Sequence, residues 1–280
     1  MAKDNPEIGQ SARTGDYLTN YHDMGAPAGT ADCPLMLVHG SGPGVSAWAN
    51  WRGCIPVLAA HRRVLAPDMA GFGYTERLPG QSYDRAIWCR QLLDLITALK
   101  VDKIDIVGNS FGGAIALAFA IAYPQHVRRL VLMGSVGVSF PITAGLDAVW
   151  GYEPSFEAMK RLLDIFAFDR GLVTDELAEL RYRASIQPGF QESFSAMFPA
   201  PRQRWVDGLA SDERDIGLLP HRALVIHGRN DRVIPLAASQ RLSDLLPNSD
   251  LHLFARCGHW TQIERAAEFC ALVQAFLAAQ

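Results

Sequence analysis

The sequence predicts an α/β fold: a mostly parallel central sheet flanked by helices, with a helical cap inserted into it. Three observations carry this. Short β-branched apolar runs alternate with stretches of helical periodicity, and such alternation implies parallel strands joined by crossover helices. The alternation stops near residue 136 and resumes near 215, with only helical patterns between. Finally, Gly108-Asn109-Ser110-Phe111-Gly112-Gly113 stands where a buried-strand run gives way to a buried-helix run. The expected division is a core domain of 1–135 and 216–280 and a cap of 136–215.

Taking the chain in order, residues up to about Ser11 read as a loose lead-in. Tyr17 to Asp23 alternates weakly, as an antiparallel edge strand would, and Gly25-Ala26-Pro27 ends it. Leu35-Met36-Leu37-Val38 is apolar throughout, the pattern of a strand covered on both faces. It runs into the nearly side-chain-free His39-Gly-Ser-Gly-Pro-Gly44, where His39 is expected to order the loop. Ala47 to Leu58 reads as a helix interrupted near Pro56, and Val64 to Asp68 as a strand. Ile87, Trp88, Leu92, Leu95, Ile96 and Leu99 recur at helical spacing. Ile104 to Val107, Arg129 to Met133, Ala223 to Ile226 and Leu251 to Phe254 read as further strands. Helices are expected over 156–168, 174–186 and 190–197 within the insertion, then over 236–246 and from about Ile263 to Phe276.

Composition narrows the function. At 280 residues the chain can bury a sizeable core. With 26 basic against 29 acidic residues the net charge is -3, which offers no electrostatic footprint for nucleic acid or an anionic membrane. The five cysteines are scattered without a CxxC pair, as in reduced cytoplasmic proteins. The polar N-terminus lacks an apolar signal region, and the longest apolar run, Ala114 to Ala122, is too short to span a bilayer.

Gly108-x-Ser110-x-Gly112 between strand and helix is a nucleophile elbow, in which small neighbours permit a strained turn that holds the hydroxyl out. A serine nucleophile needs a base and a group to orient that base. Asp231 lies just beyond the strand ending at Ile226, and His259 in the loop after Phe254. Ser110, Asp231, His259 is the chain order of the α/β-hydrolase triad, and all three fall at carboxyl ends of strands, where open α/β sheets bind ligands. Singly, Asp231 could be a turn former and His259 a packed loop residue; jointly they point to acyl-transfer chemistry. Cys257-x-His259 has no companion ligands at metal spacing, so neither metal nor cofactor is expected. The oxyanion donors expected are the main-chain amides of Phe111 and of Ser41.

On these residues the chain resembles the meta-cleavage product hydrolases of bacterial aromatic catabolism, carbon-carbon bond hydrolases of the α/β-hydrolase fold. The resemblance is carried by His39 to Asn50, Gly108 to Gly113, Cys257-Gly-His-Trp-Thr-Gln262, and the cap segments Ser139 to Thr143, Gly145 to Gly151 and Phe198 to Trp205. It is closer to the branch acting on monocyclic ring-fission products than to the biphenyl branch. It implies a small-molecule 2-hydroxy-6-oxohexa-2,4-dienoate as substrate, with Asn50, Asn109, Arg181 and Trp260 holding the dienoate end, and a homodimer or larger homo-oligomer. A guanidinium does suit a carboxylate bidentately, though Arg183 competes with Arg181 on sequence alone. Phe140, Ile142 and Trp150 are the expected wall of the C6-substituent pocket, with core packing as their alternative role.

Overall fold

The structure, a computed structural model, describes residues 5–25 and 33–279. Its centre is one sheet built from β1 (Gln10–Thr14), β2 (Tyr17–Met24), β3 (Leu35–Val38), β4 (Val64–Pro67), β5 (Ile104–Asn109), β6 (Val127–Met133), β7 (Arg222–Gly228) and β8 (Ser249–Phe254). The spatial order is β1-β2-β4-β3-β5-β6-β7-β8. Only the β1–β2 and β2–β4 pairs are antiparallel; the remaining pairs are parallel.

The unbroken apolar runs now have a cause. Met36, Ile106, Leu130, Leu132 and Val225 pack into one hydrophobic cluster. Their chain neighbours Leu35, Leu37, Val107, Val131 and Leu224 pack into a second on the opposite face. Side chains alternate across a strand, so a sheet buried on both faces needs apolar residues at every position. The first cluster is covered by α3 (Arg85–Ala98) and α4 (Phe111–Ala122), the second by α1 (Ala47–Trp51), α2 (Ile55–Ala59) and the C-terminal α13 (Ala266–Ala278).

Between β6 and β7 lie α5 (Ala144–Trp150), α6 (Phe156–Phe166), α7 (Asp175–Ser185), α8 (Phe190–Met197), α9 (Gln203–Leu209) and α10 (Glu213–Gly217). Hydroxyl residues start three of them: Thr143, Ser155 and Thr174 accept from the amides of Leu146, Ala158 and Leu177. Each such cap contributes about 1 kcal/mol. Helix α11 (Leu236–Leu245) separates β7 from β8, and the short α12 (Thr261–Glu264) precedes α13.

Four expectations are corrected. Residues 10–14 form a strand, so β2 is internal and β1 takes the edge; the mostly exposed Gln-Ser-Ala-Arg-Thr carries no apolar alternation to betray it. The interruption expected near Pro56 falls just before it: α1 ends at Trp51 and α2 begins at Ile55, with Pro56 inside its first turn, where a missing N–H costs nothing. The last helix breaks at Arg265, whose extended φ of -129° separates α12 from α13. The short α5, α9 and α10 were not expected at all, since five to seven residues are too few to show a helical period. Ala26 and Pro27 of the turn after β2 lie outside the described residues.

Candidate active site

Ser110 links β5 to α4 with φ 57° and ψ -116°, a region an L-residue occupies only under strain. The surrounding main chain enforces it. Ser110 N–H donates to Met133 O at 2.9 Å, and Ser110 O accepts from Gly113 N–H at 3.0 Å and Val136 N–H at 3.2 Å. A Cβ at Gly112 would stand 2.3 Å from Val38 O, and one at Gly108 2.2 Å from Gly112 O. The elbow therefore closes only because backbone passes against bare backbone. Phe111, with its ring buried between Phe72 and Trp88, contributes the first amide of α4, which has no acceptor within the helix.

His259 and Asp231 come together from the loops after β8 and β7. His259 Nδ1 lies 2.7 Å from Asp231 Oδ2, while Asp231 Oδ1 accepts the main-chain N–H groups of Val233 (2.7 Å) and Ile234 (2.9 Å). Asp231 is thus held at both oxygens. The His259 ring stacks near Phe166, and the His259 main-chain N–H donates to Phe166 O at 2.7 Å. Glu264 clamps the same loop: Oε1 accepts from Gly258 N–H, and Oε2 from Phe168 and Asp169 N–H. Nothing in the spacing of Glu264 signalled this. His227 is buried in β7 and pairs Nδ1 with Ser239 Oγ at 2.8 Å.

His39 orders the glycine-rich loop. Its Nε2 accepts the Met69 N–H at 2.9 Å, so Nδ1 carries the proton and donates to Gly40 O at 2.7 Å. Burial pushes this imidazole down from 6.5 to about 4. The folded chain binds the proton less tightly than the unfolded one, so the stability involved is complete above pH 6.5 and lost as pH falls toward 4. Relative to a His39→Asn variant, the wild type should lose about 3 kcal/mol of unfolding free energy across that interval, measured by urea titration at stepped pH. Parallel pH profiles for the two proteins would refute it.

Ser110, His259 and the Gly40–Pro43 loop border a cavity of about 300 Å³. Asn50, Asn109, Arg181 and Trp260 line it too. Arg181 donates from Nη2 to Pro43 O at 3.3 Å, and burial, partly offset by the Glu7 carboxylate, lowers its pKa. Arg183 is exposed and pairs with Glu179 at 2.6 Å, so the structure separates the two arginines. Apolar lining comes from Leu146, Val149, Met159, Leu163, Phe166 and Val233.

Phe140, Ile142 and Trp150 are not among the residues lining this cavity. Trp150 sits behind it, stacked on Phe198 at 4.6 Å with Nε1 donating to Ser41 Oγ at 2.9 Å, so it anchors the loop. Phe140 is buried in the core cluster, and Ile142 packs against that cluster while its N–H donates to Gln203 Oε1. Instead α5 presents Leu146 and Val149 to the cavity. Sequence reading also passed over Glu7, Arg52 and Gln262, which line the cavity.

The elbow, the Asp–His pair and the sheet define an α/β hydrolase, and the chain belongs to that family, whose sequence profile (alpha/beta hydrolase fold) matches residues 34–266. Within it the chain is a meta-cleavage product hydrolase. It is 62% identical over 276 residues to the 2-hydroxymuconate semialdehyde hydrolase of Pseudomonas sp. strain CF600, covering 99% of this chain and 96% of that one. It is 59% identical to the 2-hydroxy-6-oxo-2,4-heptadienoate hydrolase of Pseudomonas putida strain F1, over the full length of both. Superposition on a mutant meta-cleavage product hydrolase from Pseudomonas fluorescens IP01, solved with acetates, gives a TM-score of 0.94 at 56% identity, covering 97% of this chain and 98% of that one. No helix of the described residues is long and apolar enough to cross a membrane.

Proposed function

We propose that the protein hydrolyses a carbon-carbon bond in a 2-hydroxy-6-oxohexa-2,4-dienoate, either 2-hydroxymuconic semialdehyde or a 6-alkyl analogue, in the meta-cleavage route of aromatic breakdown. The observation that carries this is the sharing of one cavity by Ser110 and His259 with Arg181, Asn50 and Asn109. Arg181 pairs with the substrate carboxylate, and the two amides and Trp260 hold the dienoate. Asn50 Nδ2 is buried without a protein acceptor, a donor that a bound oxygen would satisfy. The dienol first ketonises, its hydroxyl proton leaving and C5 gaining one, which supplies an electron sink. His259 then takes the Ser110 proton as Ser110 attacks the C6 carbonyl, and the amides of Phe111 and Ser41 hold the oxyanion. The C5–C6 bond breaks, its electron pair passing to the C2 oxygen, which is protonated to give 2-hydroxypenta-2,4-dienoate. Water, with His259 as base, releases the carboxylic acid from Ser110; direct attack by His259-activated water gives the same products. The reading assigns no cofactor.

The same reading takes 136–215 as a cap over a core of 1–135 and 216–280, and places a homodimer or larger homo-oligomer in the cytoplasm. A carboxylesterase or perhydrolase would share Ser110, Asp231 and His259 but would not need Asn50, Asn109 and Arg181 together. EDTA-treated protein should bleach the yellow dienolates of 2-hydroxymuconic semialdehyde and its 6-methyl analogue. No absorbance loss with either, or loss only on adding metal, would overturn the reading. Arg181→Ala should lower kcat/KM for the dienoate about a hundredfold or more, yet leave hydrolysis of a neutral p-nitrophenyl ester within about threefold. Equal losses on both would make Arg181 structural.

A further inference from the structure

Among the described charged side chains that line the cavity, Glu7 is the one acid, beside Arg52 and Arg181. It is not a loose side chain on a terminal segment. Its N–H donates to Asn5 Oδ1 at 3.0 Å, its carbonyl accepts from Asn20 Nδ2 at 3.0 Å, and Oε2 accepts the Ser46 hydroxyl proton at 2.6 Å. Ser46 in turn caps α1 by accepting the Ala49 N–H, so Glu7 is fastened to the helix that carries Asn50 and leads into Arg52. Arg181 is stabilised in its charged form by Glu7 and destabilised by Arg52. Two cations and one fixed carboxylate therefore share the lining that receives the substrate anion.

We infer that Glu7 is a specificity-determining residue, which tunes the cavity to dienoates bearing one negative charge and penalises those bearing two. This rests on the dienoate reading of the same cavity. With Glu7 in place, Arg52 and Arg181 leave one positive charge uncompensated: a monoanion neutralises it, whereas a dianion leaves one charge in excess. The carboxylate repels a bound anion in proportion to that anion's charge, so removing it favours the dianion by the square of the factor by which it favours the monoanion.

The test uses two planar, unreactive dienoates, sorbate (one charge) and cis,cis-muconate (two), titrated calorimetrically at pH 7.5 into the full-length protein and into Glu7→Gln. Glutamine keeps an oxygen for the Ser46 hydroxyl, so α1 stays capped. Muconate should bind Glu7→Gln about tenfold more tightly than wild type, and sorbate about threefold. Arg52→Gln should move both in the opposite direction. An unchanged sorbate-to-muconate ratio in Glu7→Gln would overturn the inference, as would weaker binding of both, which would make Glu7 a clamp for Ser46 alone. These affinities need no turnover, so failure of the dienolate bleaching assay reports separately on the catalytic reading.

Discussion

Asp231→Asn should leave a folded protein whose kcat on the dienoate is lower by about a thousandfold to ten-thousandfold. The reason lies in what already holds the side chain. Oδ1 accepts two main-chain N–H groups, from Val233 and Ile234, and those donors will keep an oxygen there. The new amide nitrogen must then replace Oδ2, 2.7 Å from His259 Nδ1. An amide nitrogen only donates, so Nδ1 becomes the acceptor and the ring proton moves to Nε2. A histidine protonated at Nε2 cannot take the Ser110 proton. The substitution is nearly isosteric and keeps both loop hydrogen bonds, so the thermal midpoint should shift by only a few degrees. Steady-state kinetics on the dienoate, alongside a melting curve, decide it. A loss under about tenfold would show that Asp231 does not set the tautomer of His259, and would turn attention to His227, whose Nε2 lies 3.8 Å from the same carboxylate oxygen.

What could be read in advance follows from where each residue's information lies. Ser110, Asp231 and His259 are legible because each follows an apolar run long enough to be recognised as a strand, and topology then brings strand ends together. Arg181 and Arg183 stand two apart on α7, so periodicity separates their faces but not which face meets the cavity; the contact with Pro43 decides that, 138 residues away in sequence. Trp150 reads as an apolar wall because sequence shows its ring and hides the use of its N–H, which is spent on Ser41. Glu7 sits in a polar stretch without period, and only the Ser46 hydrogen bond gives it a place. Asp68 is similar. It is fully buried just after β4, accepting from Ala47 and Tyr74 main-chain N–H and from Asn20, and so ties β2, the start of α1 and the loop at Tyr74, which local sequence cannot relate.

At the other end of β5 from Ser110, Asp105 carries the largest expected effect on stability. Its side chain is fully buried and accepts from Arg62 Nη1 at 3.0 Å and from Arg128 Nε and Nη2 at 2.8 and 2.5 Å. Arg62 is itself 6% exposed, whereas Arg128 keeps 31% of its side chain in solvent. Asp105→Ala would strand the Arg62 guanidinium in the interior with no counter-charge, a loss of about 3–5 kcal/mol. The paired burial is not itself a large net gain, because desolvating both ions offsets most of their attraction. Removing both charges, as Asp105→Leu with Arg62→Met, should therefore recover most of the loss, since Arg128 is part-exposed and also donates to Leu277 O. Urea midpoints of the three proteins test this, and failure of the double variant to recover would mean that the ions themselves organise the start of β5, where its pairing with β6 is already irregular between Ile104 and Ile106. The network lies at the amino end of the strand and the nucleophile at its carboxyl end, so the folded fraction of each variant should retain wild-type turnover. Stability and chemistry are thus assigned to opposite edges of one sheet, and the two halves of the prediction fail independently.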